Sequence, residues 1–213
     1  TPLAAAAEAF GWREVMVGLG IFTLLVAAAL FVVVRDPPQE NTGSGGTGLS
    51  GYVELLRMKV FWPIIPLMAI NYAPAAGIRG LWAGPYLSEL YGLDALAIGD
   101  VTLFMALGMV AGSFLYGPLD TLFGTRKWVA AVGNAISLAA VAGLAAFPLI
   151  GVPIATVLLV VIGVAGMGYG MIMAHSRAFF PPHLTGRGVT LMNFFSIGGV
   201  GAIDGHHQRL PGG

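Results

Sequence analysis

Arg79 is the one charged residue in the apolar run from Val60 to Ser88. A guanidinium at the centre of a membrane-crossing helix costs about 2.5–3.5 kcal/mol on insertion scales, so it demands a partner or a wet cavity. Its planar fork of five donors suits a carboxylate or a similar oxyanion better than an ammonium would. Anion binding is therefore the chemistry this residue offers. Asn71, Arg79, Trp82 and Tyr86 follow one another at spacings of eight, three and four, which predicts one shared helical face. With Tyr72 they would supply hydrogen bonds and stacking surfaces to a solute. Two readings of Arg79 stand at this stage: an anion-binding residue in a transport path, or an arginine that snorkels outward or pairs with a carboxylate elsewhere.

Other chemistries find no residues to carry them. The chain has no cysteine, which excludes thiol nucleophiles, thiolate metal sites and disulfides. His175, His183, His206 and His207 lack metal-ligand spacing and accompanying acids, so no metal site and no cofactor is expected. The glycines between Gly43 and Gly48 lead into no Gly-Lys-Ser/Thr sequence and follow no strand, unlike a phosphate-binding loop. Gly163, Gly166, Gly168 and Gly170 lie inside an apolar run, where close packing and hinge flexibility explain them better than a dinucleotide site. Ten basic and ten acidic residues are scattered along the chain, leaving no basic stripe for nucleic acid. An intramembrane enzyme would need an inward-facing acid, base or nucleophile cluster, and none is visible.

The elements that must position Arg79 are membrane spans. Of 213 residues, 57% are hydrophobic and 9% charged, against about 25% charged in soluble domains; the mean hydropathy is +0.84. Six spans are predicted, near residues 15–34, 60–91, 96–116, 128–147, 154–174 and 189–202. The first holds about 20 uncharged residues, enough to cross a core of about 30 Å. The second carries Pro63, Pro66, Pro74 and Pro85 with several glycines, so a tilted, kinked helix is expected. Gly108 and Gly112 in the third permit close helix contact. Residues 39–51 read as flexible linker, and Tyr52 to Lys59 as a short surface helix. Arg35, Arg57, Lys59, Arg126, Lys127, Arg177 and Arg187 fall on one side of this topology and Arg13 alone on the other, which orients the basic side to the cytoplasm.

Between the third and fourth spans lies a polar island, Gly117-Pro118-Leu119-Asp120-Thr121-Leu122-Phe123-Gly124-Thr125-Arg126-Lys127. It resembles the signature cytoplasmic loop of the major facilitator superfamily, roughly Gly-x-Leu-Ala-Asp-Arg-x-Gly-Arg-Arg, with Gly117, Leu119, Gly124 and Arg126 at matching positions. Asp120 stands one place before the family's aspartate. The loop after the fifth span, with Pro181, Pro182, Arg187 and Gly188 and then Asn193, is similar to the family's connection between its tenth and eleventh spans. The resemblance implies an incomplete all-α, polytopic transmembrane bundle holding spans six to eleven of twelve. On that reading 1–34 is the last helix of the N-terminal half, 35–59 a cytoplasmic linker, 60–204 the C-terminal half without its last span, and 205–213 an atypical tail. The ends of the chain are expected to be cut or altered.

The function so implied is that of a permease moving a small solute by alternating access, in a bacterial inner (plasma) membrane, with or without a coupling ion. The substrate-binding candidates are Asn71, Tyr72, Arg79, Trp82 and Tyr86. Gly117, Asp120, Gly124, Arg126 and Lys127 are candidates for a cytoplasmic gate, Asp120 pairing with a basic residue. Arg79 leans towards an anionic or carboxylate-bearing solute, whereas Trp82 and Tyr86 suit a drug-type efflux substrate equally well. A non-transporting membrane scaffold or sensor is the remaining alternative. The partners expected are membrane lipid and a small-molecule solute, with no nucleic acid.

Overall fold

The computed structural model describes residues 2–34 and 49–207; the side chains of Asp120 and of residues 199–207 are outside the description. Among the described residues there are helices and no strands. A bilayer accepts no other open arrangement, because each unpaired backbone group in hydrocarbon costs several kcal/mol.

Helix α1, Pro2–Phe10, ends at Gly11, whose φ of 90° turns the chain into α2, Trp12–Val33. Helix α2 is apolar all round and buries none of its side chains, the pattern of a span whose surroundings are lipid or further protein. The short helix α3, Ser50–Arg57, buries Gly51 and Leu55. Helices α4, Ile64–Gly77, and α5, Ala83–Tyr91, are joined by the π-turn Ile78–Trp82. Then come α6, Ala95–Phe123, α7, Arg126–Ala146, α8, Val152–Gly166, α9, Gly168–Arg177, and, after a 3-10 turn at Pro182–Leu184, α10, Thr185–His207. Four stretches are long and apolar enough to cross a membrane by length and composition: α2, α6, α7, and α8 with α9. The other two expected spans are helical as well, one interrupted by the π-turn and one carrying more polar residues.

The second span, where proline kinks were expected, is interrupted by a π-turn. The Ala83 N–H bonds the Ile78 carbonyl five residues back. Pro85 has no N–H for the carbonyl one turn before it, and its ring crowds that carbonyl. The wider turn just ahead of Pro85 takes up this conflict. The fifth predicted span is divided at Met167, whose N–H bonds Val164 O at 3.2 Å in a tightened turn. The third extends past its predicted end: the polar island is helical to Phe123, and the reversal is confined to Gly124, at φ 59°, and Thr125. Leu119, Leu122 and Phe123 continue an apolar stripe through the island, and Gly124 supplies the left-handed residue that ends it.

Small residues set the helix spacing. A Cβ on Gly163 of α8 would lie 2.8 Å from the Met105 carbonyl of α6, and one on Gly108 of α6 would lie 2.9 Å from a Val160 methyl of α8. The α6–α8 contact therefore forms backbone to backbone, as Gly108 and Gly112 predict. Three hydroxyls in the spans bond within their own helix: Thr23 donates to Leu19 O, Ser113 to Met109 O and Thr156 to Val152 O. Contacts at the two ends of the bundle give the path of the chain. At one end Glu54 of α3 approaches His183 at 3.8 Å, and at the other Tyr86 and Tyr91 of α5 reach the α7–α8 connection.

Candidate functional site

Helices α4, α9 and α10 bring three polar side chains together beside the break at Met167. The Tyr72 ring of α4 lies 5.3 Å from that of Tyr169 on α9, and the Tyr169 hydroxyl donates to Asn193 Oδ1 on α10. Tyr169, Ser113, Gly117 and Gly170 also line a cleft of about 330 Å³ between α6 and α9. The discontinuity leaves Gly168 so close that a Cβ there would lie 3.2 Å from both Asn71 Nδ2 and the Tyr116 ring. Sequence reasoning missed Tyr169, and reached Asn193 only through the resemblance. The available signal was a hydroxyl-bearing aromatic between Gly168 and Gly170.

The five predicted binding residues do not converge on one point. Asn71 is fully buried and its Nδ2 donates to Asn134 Oδ1 of α7 at 2.7 Å. Such a bond between spans is worth about 0.6–2 kcal/mol. Asn71 Oδ1 and Ser137 Oγ are buried beside it without a hydrogen-bond partner. Trp82, 40% exposed, lines an apolar groove of about 450 Å³ against α7 together with Asn134 and Ser137. With Tyr86 it also lines a second groove of about 400 Å³ towards Pro148. The Tyr86 and Tyr91 hydroxyls both donate to Pro148 O, at 3.0 and 2.9 Å, and the Gly151 N–H donates to Tyr91 at 3.2 Å. Tyr86 is thus an anchor for the end of α5. Arg79 sits in the π-turn, exposed, and lines neither groove. The residue inserted by the π-turn rotates everything beyond it by roughly 100° relative to a regular helix. The predicted common face is split for that reason.

The candidate gating residues occupy one corner. Gly117 is in α6 at the cleft beside Tyr169, and Gly124 makes the turn. Arg126 and Lys127 open α7, both exposed, with Lys127 Nζ 5.8 Å from the centre of the Trp128 ring. Cations are disfavoured at a helix N-terminus, so the helix dipole does not account for their placement. Arg13 over Trp12, at 5.3 Å, repeats the pairing of cation and interfacial tryptophan at the start of α2. The Asp120 side chain lies outside the described residues.

The family model described as Major Facilitator Superfamily matches residues 2–203. Comparison with curated proteins and with solved structures gives no significant match.

Proposed function

The chain belongs to the major facilitator superfamily and is part of a multi-pass membrane transporter; from this premise we propose that it serves a permease moving a small solute by alternating access. The observation that carries the reading is the meeting of Tyr72, Tyr169 and Asn193 from three helices at a helix break. Interrupted helices are where transporters of several folds place polar groups within the bilayer, since irregular backbone is tolerated only beside protein or water. On this reading 60–204 form most of the C-terminal half, 1–34 end the N-terminal half, and 35–59 connect them.

Arg79 supports an anionic or carboxylate-bearing solute. Its desolvation cost in lipid is offset only if its side of α4–α5 faces a wet cavity or a protein partner. The π-turn presents it on the same span as Tyr72.

The test uses the complete protein in proteoliposomes, with counterflow of labelled mono- and dicarboxylates and, separately, of a lipophilic cation. Carboxylate counterflow is expected. Tyr169→Phe and Asn193→Ala should each lower it by about tenfold, the scale of one lost hydrogen bond to solute or to its positioning partner, at unchanged protein content. Flux of the cation alone would move the assignment to drug-type efflux. Absence of flux for every solute would favour a scaffold or sensor.

A further inference from the structure

The turn at Gly124–Thr125 closes one end of a groove that the transport reading leaves unused. It runs between α6 and α7, with α8 as its floor, and has a volume of about 460 Å³. Its walls are Leu115, Leu119 and Phe123 on one side and Trp128, Val132 and Ile136 on the other. The one polar atom of Tyr116, which lies in the floor, is engaged: its hydroxyl donates to Ala165 O at 2.9 Å. Apart from Thr125 at its closed end, the groove interior therefore offers almost wholly hydrocarbon contact.

Three observations identify the occupant. From Ile136 to Arg126 the groove follows α7 for ten residues, on the order of 15 Å at 1.5 Å per residue, or about half of a 30 Å hydrocarbon core. It has the depth of one leaflet. Over that length both walls are apolar side chains, Leu115, Leu119 and Phe123 facing Trp128, Val132 and Ile136. Such a lining suits a hydrocarbon chain. Beside the end closed by the turn stands the charge of Lys127, held over Trp128, which itself lines the groove. A hydrocarbon chain whose head carries negative charge satisfies both ends at once.

We propose that the α6–α7 groove seats an acyl chain of an anionic phospholipid whose phosphate lies at Lys127. The seat belongs to the leaflet on the basic side of the protein, where anionic headgroups are drawn to juxtamembrane lysine and arginine. By filling the angle between α6 and α7 the lipid braces the turn that joins them.

The experiment places p-benzoylphenylalanine at Val132 in the complete protein, reconstituted in nanodiscs containing equal amounts of phosphatidylglycerol and phosphatidylcholine. After irradiation the adducts are identified by mass spectrometry. Phosphatidylglycerol adducts should exceed phosphatidylcholine adducts by about fivefold, the preference expected for one basic residue at an anionic headgroup. Lys127→Gln should bring the ratio close to one, and Lys127→Arg should restore it. Equal adducts in the unmodified background would reduce the groove to ordinary lipid contact and overturn the proposal. Adducts to another segment of the protein, or none to lipid, would overturn it too, because the groove would then be covered by protein.

Discussion

Arg79 separates a solute-binding transporter from a bundle that merely carries a buried cation. Its guanidinium sits on the π-turn of the second span, where the insertion penalty of about 2.5–3.5 kcal/mol makes full lipid exposure untenable. If the compensation comes from an anionic solute, Arg79→Gln should lower carboxylate flux by about tenfold to a hundredfold, the range for a lost hydrogen bond to a charged group. Arg79→Lys should fall between, keeping the charge and losing the planar fork. Flux per molecule in proteoliposomes checks this, and wild-type flux from Arg79→Gln at normal abundance would remove the binding role. A collapse in abundance would mark a structural ion pair. At the scale of single residues the sequence made polarity conspicuous within an apolar run, as at Asn71, Tyr72 and Arg79, and the structure sets Asn71 against Asn134, Tyr72 beside Tyr169 and Arg79 exposed on the π-turn. Tyr169 was not legible, because the glycines on either side directed attention to packing, and the bond of the Tyr86 hydroxyl to Pro148 has no sequence signal.

Helices were legible because hydropathy and length constrain them tightly: α2, α6, α7 and the α8–α9 pair lie where uncharged runs predict spans. Their interruptions were not. A π-turn has no composition of its own, and the conflict between Pro85 and the preceding turn is relieved at Ile78–Trp82, outside any proline position. The break at Met167 was masked by glycines on both sides that serve a second purpose, since Gly166 meets Ala75 of α4. That contact makes a prediction about elements. Gly166→Val forces α8 and α4 apart and should lower thermal stability by about 1–3 kcal/mol, as overpacking commonly does. Gly84→Val is the matched control, because a Cβ there meets nothing within 4 Å; its melting temperature in detergent should stay close to that of the parent. Equal losses at both positions would show that helix propensity, and not the α4–α8 approach, determines the cost.

At the scale of the molecule, charge predicts the orientation, and contacts mark the two ends to which it applies. Glu54 meets His183 and the Gly51 backbone crowds Arg187, joining α3 to the start of α10. Tyr86 and Tyr91 tie α5 to the α7–α8 connection at the other end. The first end carries Arg57, Lys59, Arg126, Lys127, Arg177 and Arg187, and the second carries Glu89 and Asp94, with Arg13 the one basic residue that the topology assigns to it. An excess of Lys and Arg marks the cytoplasmic loops, since these residues resist translocation. The chain contains no cysteine, so a single introduced thiol reports its own side. In intact cells Leu149→Cys, exposed on the α7–α8 connection, should react with an impermeant maleimide. Thr125→Cys and Arg177→Cys should stay protected until the membrane is opened. The reverse pattern would invert the orientation, and with it the leaflet that supplies lipid to the α6–α7 groove. Labelling of Thr125→Cys from outside together with Leu149→Cys would instead dismantle the span count, because α7 could then no longer cross the membrane.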